Sequence, residues 1–304
     1  MNKIGLFGIG LDTYWGQFDG LLDRLSDYQK YIGKQIEQSG ATVVDAGMVD
    51  SPEKAKSAGE LLKSNDVEIV FLYVSTYALS STVLPVAQKV NVPIIILNLQ
   101  PVAAIDYAKF NAMADRGKMT GEWLAHCQAC SVPEIANVFN RCDIRYEIVT
   151  GHLHDNSAWE EINHWIEAAR VAWTIRNNRL GVLGHYYGGM LDVYTDLTQQ
   201  SAVFGTHIEL LEMCELKKYH DEVNDDELQQ KLGEFYNVFD VSQSCEQEEM
   251  LRAARTSTAL DKLVENHKLG SLAYYYEGTD GNDYENIVTS IIAVIVSGLM
   301  LLVA

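Results

Sequence analysis

Residues 67–74 read VEIVFLYV, a run dominated by β-branched and aromatic side chains. Such a run predicts a strand covered on both faces, as in a parallel sheet. Upstream, Lys3–Gly8 (KIGLFG) is a shorter apolar run closed by glycine, and Thr42–Asp45 reads as a further strand. Downstream, Pro93 leads into another at Ile94–Leu97. Helical patterns fill the gaps. Leu21, Leu22, Leu25, Tyr28, Ile32 and Ile36 share one helical face, which ends at Gly40 as a C-cap. Ser51-Pro52-Glu53 carries an N-cap hydroxyl, a first-turn proline and an acid near the positive end of the dipole. A third helix is expected over about 80–90. Strand and helix thus alternate through the first hundred residues, which predicts an α/β fold with a parallel sheet and helices on both faces.

Beyond this core the pattern changes. Gln100 to Thr120 reads as a long connection or lid, followed by a helix over about 118–130 and a strand at Tyr146–Thr150. Trp159–Arg176 places Ile162, Trp165, Ile166, Ala169 and Trp173 on one helical face. The polar stretch Arg176-Asn177-Asn178-Arg179 marks a domain boundary near residue 177, dividing 1–177 from 178–304. Leu180–Gly184 (LGVLG) then repeats the character of the first strand. His207–Leu211 is a second strand there, and acidic helices cover about 224–236 and 246–266. Ile287–Ala304 carries no charge and sits at the lower edge of a membrane-spanning length. Thr289, Ser290, Ser297 and Gly298 interrupt it and no basic anchor follows. The favoured expectation is a buried helix over about 284–297 and a buried strand at Leu299–Ala304, so that the domain reads as interrupted.

Composition narrows the function. Lys and Arg number 23 against 42 Asp and Glu, a net charge of −19. That field repels phosphate backbones and anionic lipid, so neither nucleic acid nor a membrane is an expected partner. An apolar fraction of 47% supplies a large core, and disorder of the bulk chain is excluded. The five cysteines (Cys127, Cys130, Cys142, Cys214 and Cys245) form no regular framework, which suits a reducing cytoplasm. Cys127-Gln-Ala-Cys130 has C-x-x-C spacing, open to redox chemistry, half a zinc site, or simply buried thiols. No secretory leader is expected at the N-terminus.

The loops after the predicted strands carry the candidate chemistry. Gly8-Ile-Gly10 invites a dinucleotide reading, but the third glycine of that fingerprint would fall at Thr13. A nucleotide cofactor is therefore not expected. The loop instead offers Asp12, Tyr14, Trp15 and Gln17: ring faces for the C–H surface of a sugar, polar groups for its hydroxyls. Its alternative is a surface loop whose aromatics pack on a neighbour. Tyr73, Ser75, Thr76 and Tyr77 end the third strand at the same sheet edge, suited to a polyol or to helix capping. His152 and His154 have donor atoms for a transition metal but no evident third ligand, and a structural role is favoured. Glu277, after Tyr274-Tyr275-Tyr276, is the best-placed carboxylate of the second domain.

Four segments together resemble the L-arabinose isomerase family over essentially the whole length. They are Tyr14-Trp15-Gly16, Thr150-Gly151-His152 with Asp155, Leu251-Arg-Ala-Ala-Arg255, and Tyr275-Tyr276-Glu277-Gly278. The resemblance implies two successive parallel-sheet domains, flavodoxin-like then Rossmann-like, with the family's third domain absent. It implies metal-assisted interconversion of an aldose and a ketose, with Mn²⁺ held by two glutamates and two histidines and a glutamate as acid/base. All four ligands are expected past Ala304, which leaves Glu277 the one catalytic candidate in the chain. Substrate contacts implied by the alignment are Asp12, Tyr14, Trp15, Tyr77, Gln128 and Met190, with Ser131 where a histidine is expected. The family further implies a small sugar such as L-arabinose as partner, and a cytoplasmic homo-oligomer. The alternative reading is a non-catalytic sugar-binding or regulatory protein; a tail anchor through 287–304 is a third.

Overall fold

The computed structural model describes residues 3–276 together with Gly281, Tyr284, Glu285 and Ile287. Glu277 and the apolar stretch after Ile287 lie outside the described residues, and with them the expectations of a terminal helix, strand or anchor. The chain divides into two compact units, Met1–Trp173 and Thr174–Ala304.

The first unit holds strands β1 (Lys3–Ile9), β2 (Thr42–Val49), β3 (Ile69–Val74), β4 (Ile94–Gln100) and β5 (Tyr146–His152). All neighbours are parallel, in the order β2-β1-β3-β4-β5. The helices are α1 (Asp12–Trp15), α2 (Leu21–Glu37), α3 (Pro52–Ser64), α4 (Ser80–Val90), α5 (Tyr107–Asn111), α6 (Arg116–Leu124), α7 (Gln128–Arg141) and α8 (Asn156–Arg176), the last of which runs on past Trp173 into the second unit. Because successive strand residues point to opposite faces, β3 feeds two cores. Val70, Leu72 and Val74 pack in one with Leu62 of α3, Val86 of α4 and Phe139 of α7. Ile69, Phe71 and Tyr73 pack in the other with Ile32 of α2 and Ile162 of α8. Each such fully buried side chain contributes roughly 1.5–3 kcal/mol relative to exposure. Both faces of the sheet are therefore covered, as the unbroken apolar strands require.

Local chemistry explains where these elements differ from expectation. β2 continues past Asp45 to Val49 because a bulge absorbs an irregularity in register: Leu6 pairs with Asp45, whereas Gly8 pairs with Met48. Gly47 lies in the bulge at φ +72°, and its N–H donates to Asp45 Oδ1 at 2.8 Å. The expected cap residue Gly40 sits one turn beyond the last helical residue at φ +83°; α2 instead closes at Gln38. Ser51 caps α3, accepting from the Lys54 N–H at 3.3 Å. The stretch from Gln100 to Thr120 is not a bare connection. It holds α5 and the start of α6, each capped by an aspartate, Asp106 and Asp115. The helix expected over 118–130 is two helices that meet at Cys127.

The second unit places β6 (Arg179–Gly184) between β7 (His207–Leu211) and β8 (Ser271–Tyr275), all parallel. A 3₁₀ turn (Leu191–Val193) and the helices α9 (Leu197–Phe204), α10 (Met213–Asp221), α11 (Asp225–Val238) and α12 (Gln247–His267) complete the described part. Leu183 and Leu211 pack against Leu216 of α10, Phe235 of α11 and Leu260 of α12. An Asn224–Glu227 capping box starts α11. Among the described residues no helix is long and apolar enough to cross a membrane.

Candidate functional site

In an open parallel sheet the loops diverge where strand order reverses, and a crevice opens beyond the carboxyl ends there. In the first unit that point lies between β1 and β3. Two loops frame it: residues 10–20, after β1, and residues 75–79, after β3.

The first loop is held by its aromatic residues. Trp15 Nε1 donates to Oδ2 of Asp50 at 2.8 Å. The indole lies so close over Gly10 that a Cβ there would stand 2.6 Å from the ring. Glycine is thus required at position 10 by packing, not by phosphate approach. Tyr14 meets Trp15 and Phe18 edge-on, with centroids 6.4 and 5.9 Å away. These rings rest on Leu21, Leu25, Leu124 and Ala125. Burial, then the neighbouring Tyr77 and Cys127, raises the Tyr14 hydroxyl above its ordinary range. Tyr14 and Tyr77, one from each loop, thus lie within electrostatic reach of one another. Tyr77 remains 41% exposed, and Asp12, the first residue of α1, is exposed as well.

The second loop is fastened from beneath. Ser75 Oγ donates to the Ile9 carbonyl at 2.6 Å, and Thr76 Oγ1 to the Leu124 carbonyl at 2.7 Å. Both side chains are fully buried, so these hydroxyls neither face a ligand nor cap a helix. Gln128, also fully buried, donates from Nε2 to the carbonyls of Ser75 at 2.9 Å and Ala125 at 2.8 Å. It positions the loop instead of presenting an amide to the crevice. Ser131, at the position where the resemblance calls for a histidine, accepts the Ala78 N–H at 2.8 Å. Burial raises the Tyr73 hydroxyl well above its ordinary range, and its ring sits inside the core.

The structure therefore brings Asp12, Tyr14, Trp15 and Tyr77 to one edge and puts Gln128 behind them. Met190 belongs to the second unit, where it is 45% exposed at the start of the 3₁₀ turn. Glu277 lies outside the described residues. The two histidines of β5 and its following turn are engaged locally: the His154 N–H donates to His152 Nδ1 at 3.2 Å, and His154 Nδ1 meets the Tyr31 hydroxyl at 3.1 Å. Among the described residues no three His, Cys, Asp or Glu side chains group to hold a metal.

Asp50 is the site residue that sequence reasoning missed. It is 5% exposed and takes both the indole of Trp15 and, at 2.8 Å, Lys54 Nζ. The signal that could have found it was an acid at a strand end just before a Ser-Pro helix start. The pair Arg24–Glu122, 2.5 Å apart, likewise joins α2 to α6 beside the aromatic loop. The chain matches no known protein-family model, and no curated protein is significantly similar to it.

Proposed function

We propose that the chain binds a small polyol at the carboxyl edge of its first unit and belongs to the aldose–ketose isomerase lineage of the L-arabinose isomerase type. In this reading the first unit is flavodoxin-like, since its strand order 2-1-3-4-5 is that of flavodoxin-like sheets, and the second is Rossmann-like. One observation carries the functional reading. Tyr14 and the exposed Tyr77, from separate loops, both lie at the topological switch point within electrostatic reach of one another, with Asp12 exposed at the start of Tyr14's own helix. Ring faces bury the C–H surface of a linear sugar, and a carboxylate accepts from its hydroxyls. A net charge of −19 supports a neutral ligand over a phosphorylated one.

Manganese does not fit the donor set of the described residues. His152 and His154 are engaged with each other and with Tyr31, and among the described residues no third donor joins them. That donor set favours, as the second reading, a sugar-binding or regulatory protein that holds the polyol without converting it. The cytoplasmic, homo-oligomeric state implied by the resemblance is part of the first reading.

Calorimetric titration of the full chain with L-arabinose, L-ribulose and ribitol, with and without Mn²⁺, tests both, alongside a ketose assay. Binding with turnover supports the isomerase reading while overturning the expectation that all four metal ligands lie past Ala304, and binding without turnover favours the second. No binding of any of the three rejects the polyol site.

A further inference from the structure

Cys127 and Cys130 frame the first turn of α7. Cys127 is its N-terminal cap residue, and the Cys130 N–H donates to the Cys127 carbonyl at 3.2 Å, a bond across one turn. A turn of this kind holds α-carbons about 5–6 Å apart, inside the span that a disulfide bridges. The Cys130 thiol lies near enough to add to burial in raising the Cys127 thiol. Their surroundings differ: Cys127 is buried, whereas Cys130 is exposed.

We infer that Cys127 and Cys130 form a reversible intrachain disulfide by exchange with a small-molecule disulfide of the glutathione type. Exposure assigns the order. The Cys130 sulfur attacks one sulfur of glutathione disulfide, a protein–glutathione S–S bond forms, and the original S–S bond breaks. One glutathione departs and takes up the Cys130 proton. The Cys127 sulfur then attacks the Cys130 sulfur, expelling the second glutathione with the Cys127 proton. Two protein thiols are oxidised to one disulfide while one glutathione disulfide is reduced to two glutathiones. Burial pushes the Cys127 thiol up to about 12, which keeps it protonated and leaves the exposed Cys130 to react first with bulk oxidant. The bridge would enclose Gln128, whose amide holds the Ser75 and Ala125 carbonyls. The inference rests on the two cysteines alone and stands whatever the crevice binds.

The test equilibrates the reduced full chain with glutathione buffers from fully reduced to tenfold excess disulfide, then alkylates and maps thiols by mass spectrometry. The expected result is loss of two of the five alkylatable cysteines, mapped to one peptide linking Cys127 to Cys130, and full recovery with dithiothreitol. Cys127→Ser should instead trap one glutathione on Cys130, and Cys130→Ser should leave Cys127 alkylatable after denaturation. Retention of all five thiols, or a bridge to any other cysteine, overturns the inference. Because Cys130 is exposed, its serine variant is expected to fold, and its circular dichroism spectrum checks that.

Discussion

The indole Nε1 of Trp15 donates to Asp50 Oδ2 at 2.8 Å across thirty-five residues of sequence. This bond ties the aromatic loop after β1 to the end of β2. Asp50 also receives Lys54, so its carboxylate joins that loop to the first turn of α3. Asp50→Ala strands the indole N–H and should cost about 1–3 kcal/mol in urea denaturation. Asp50→Asn keeps an acceptor for the indole and should cost less. Equal stability of both variants with the parent would show that the bond does not hold the loop.

Stability and affinity should separate at the other loop. Tyr77 is exposed and its removal leaves no buried group unpaired. Tyr77→Ala should therefore change stability by less than about 0.5 kcal/mol yet weaken ribitol binding about fivefold or more in calorimetry. Gln128→Leu removes two buried hydrogen bonds and should lower stability by about 1–3 kcal/mol. A Tyr77 variant with unchanged polyol affinity would move the contact elsewhere.

In the second unit His267 bridges Glu215 of α10 at 2.8 Å and Glu209 of β7 at 2.7 Å. Hydrogen bonds to Glu215 and then to Glu209 raise the imidazole above its usual 6.5. The bond from His267, and then that from Arg179, holds Glu209 below its usual 4.5. The histidine's contribution to stability is complete below pH 6.5 and is lost as pH rises through its folded value. The glutamate's is complete above pH 4.5 and fades as pH falls through its folded value. His220, pushed below 6.5 mainly by burial, contributes with the opposite sign, above 6.5. The informative quantity is thus the difference in Tm between the parent and His267→Gln. It should be greatest between pH 4.5 and 6.5 and shrink toward pH 9. A difference constant over that range would rule out a titrating bridge.

Gly184 ends β6 at φ +90°, and a Cβ there would stand 2.0 Å from the Tyr275 carbonyl oxygen. Gly184→Ala adds left-handed strain of about 1–2 kcal/mol and overpacking of about 1–3 kcal/mol. The thermal unfolding midpoint of the second unit should fall clearly. Gly188→Ala, where nothing lies within 4 Å of the added methyl, is the control that should leave it unchanged.

Most of the parallel scaffold was legible because burial on both faces writes itself as long apolar runs. VEIVFLYV and the Ser51-Pro52 helix start are nearly where their residue types put them, with β3 at Ile69–Val74. Edges and breaks were less legible. The extension of β2 depends on Gly47 taking a left-handed turn beside Asp45, and the break at Cys127 separates two stretches that are helical by composition alike. At the crevice, residue type announced aromatic and hydroxyl side chains but not their direction. Ser75 and Thr76 turned inward to backbone carbonyls, whereas Tyr77 stayed out.

What the order of residues determined alone is the alternation of strands and helices and the excess of negative charge, because both follow from local pattern and count. Only the tertiary structure decided that Trp15 would lean on Asp50, that the loops of Tyr14 and Tyr77 would share one sheet edge, and that Gln128 would serve the backbone. Those choices depend on which buried carbonyl or N–H lacks a partner once distant segments meet, and a one-dimensional pattern does not carry that information.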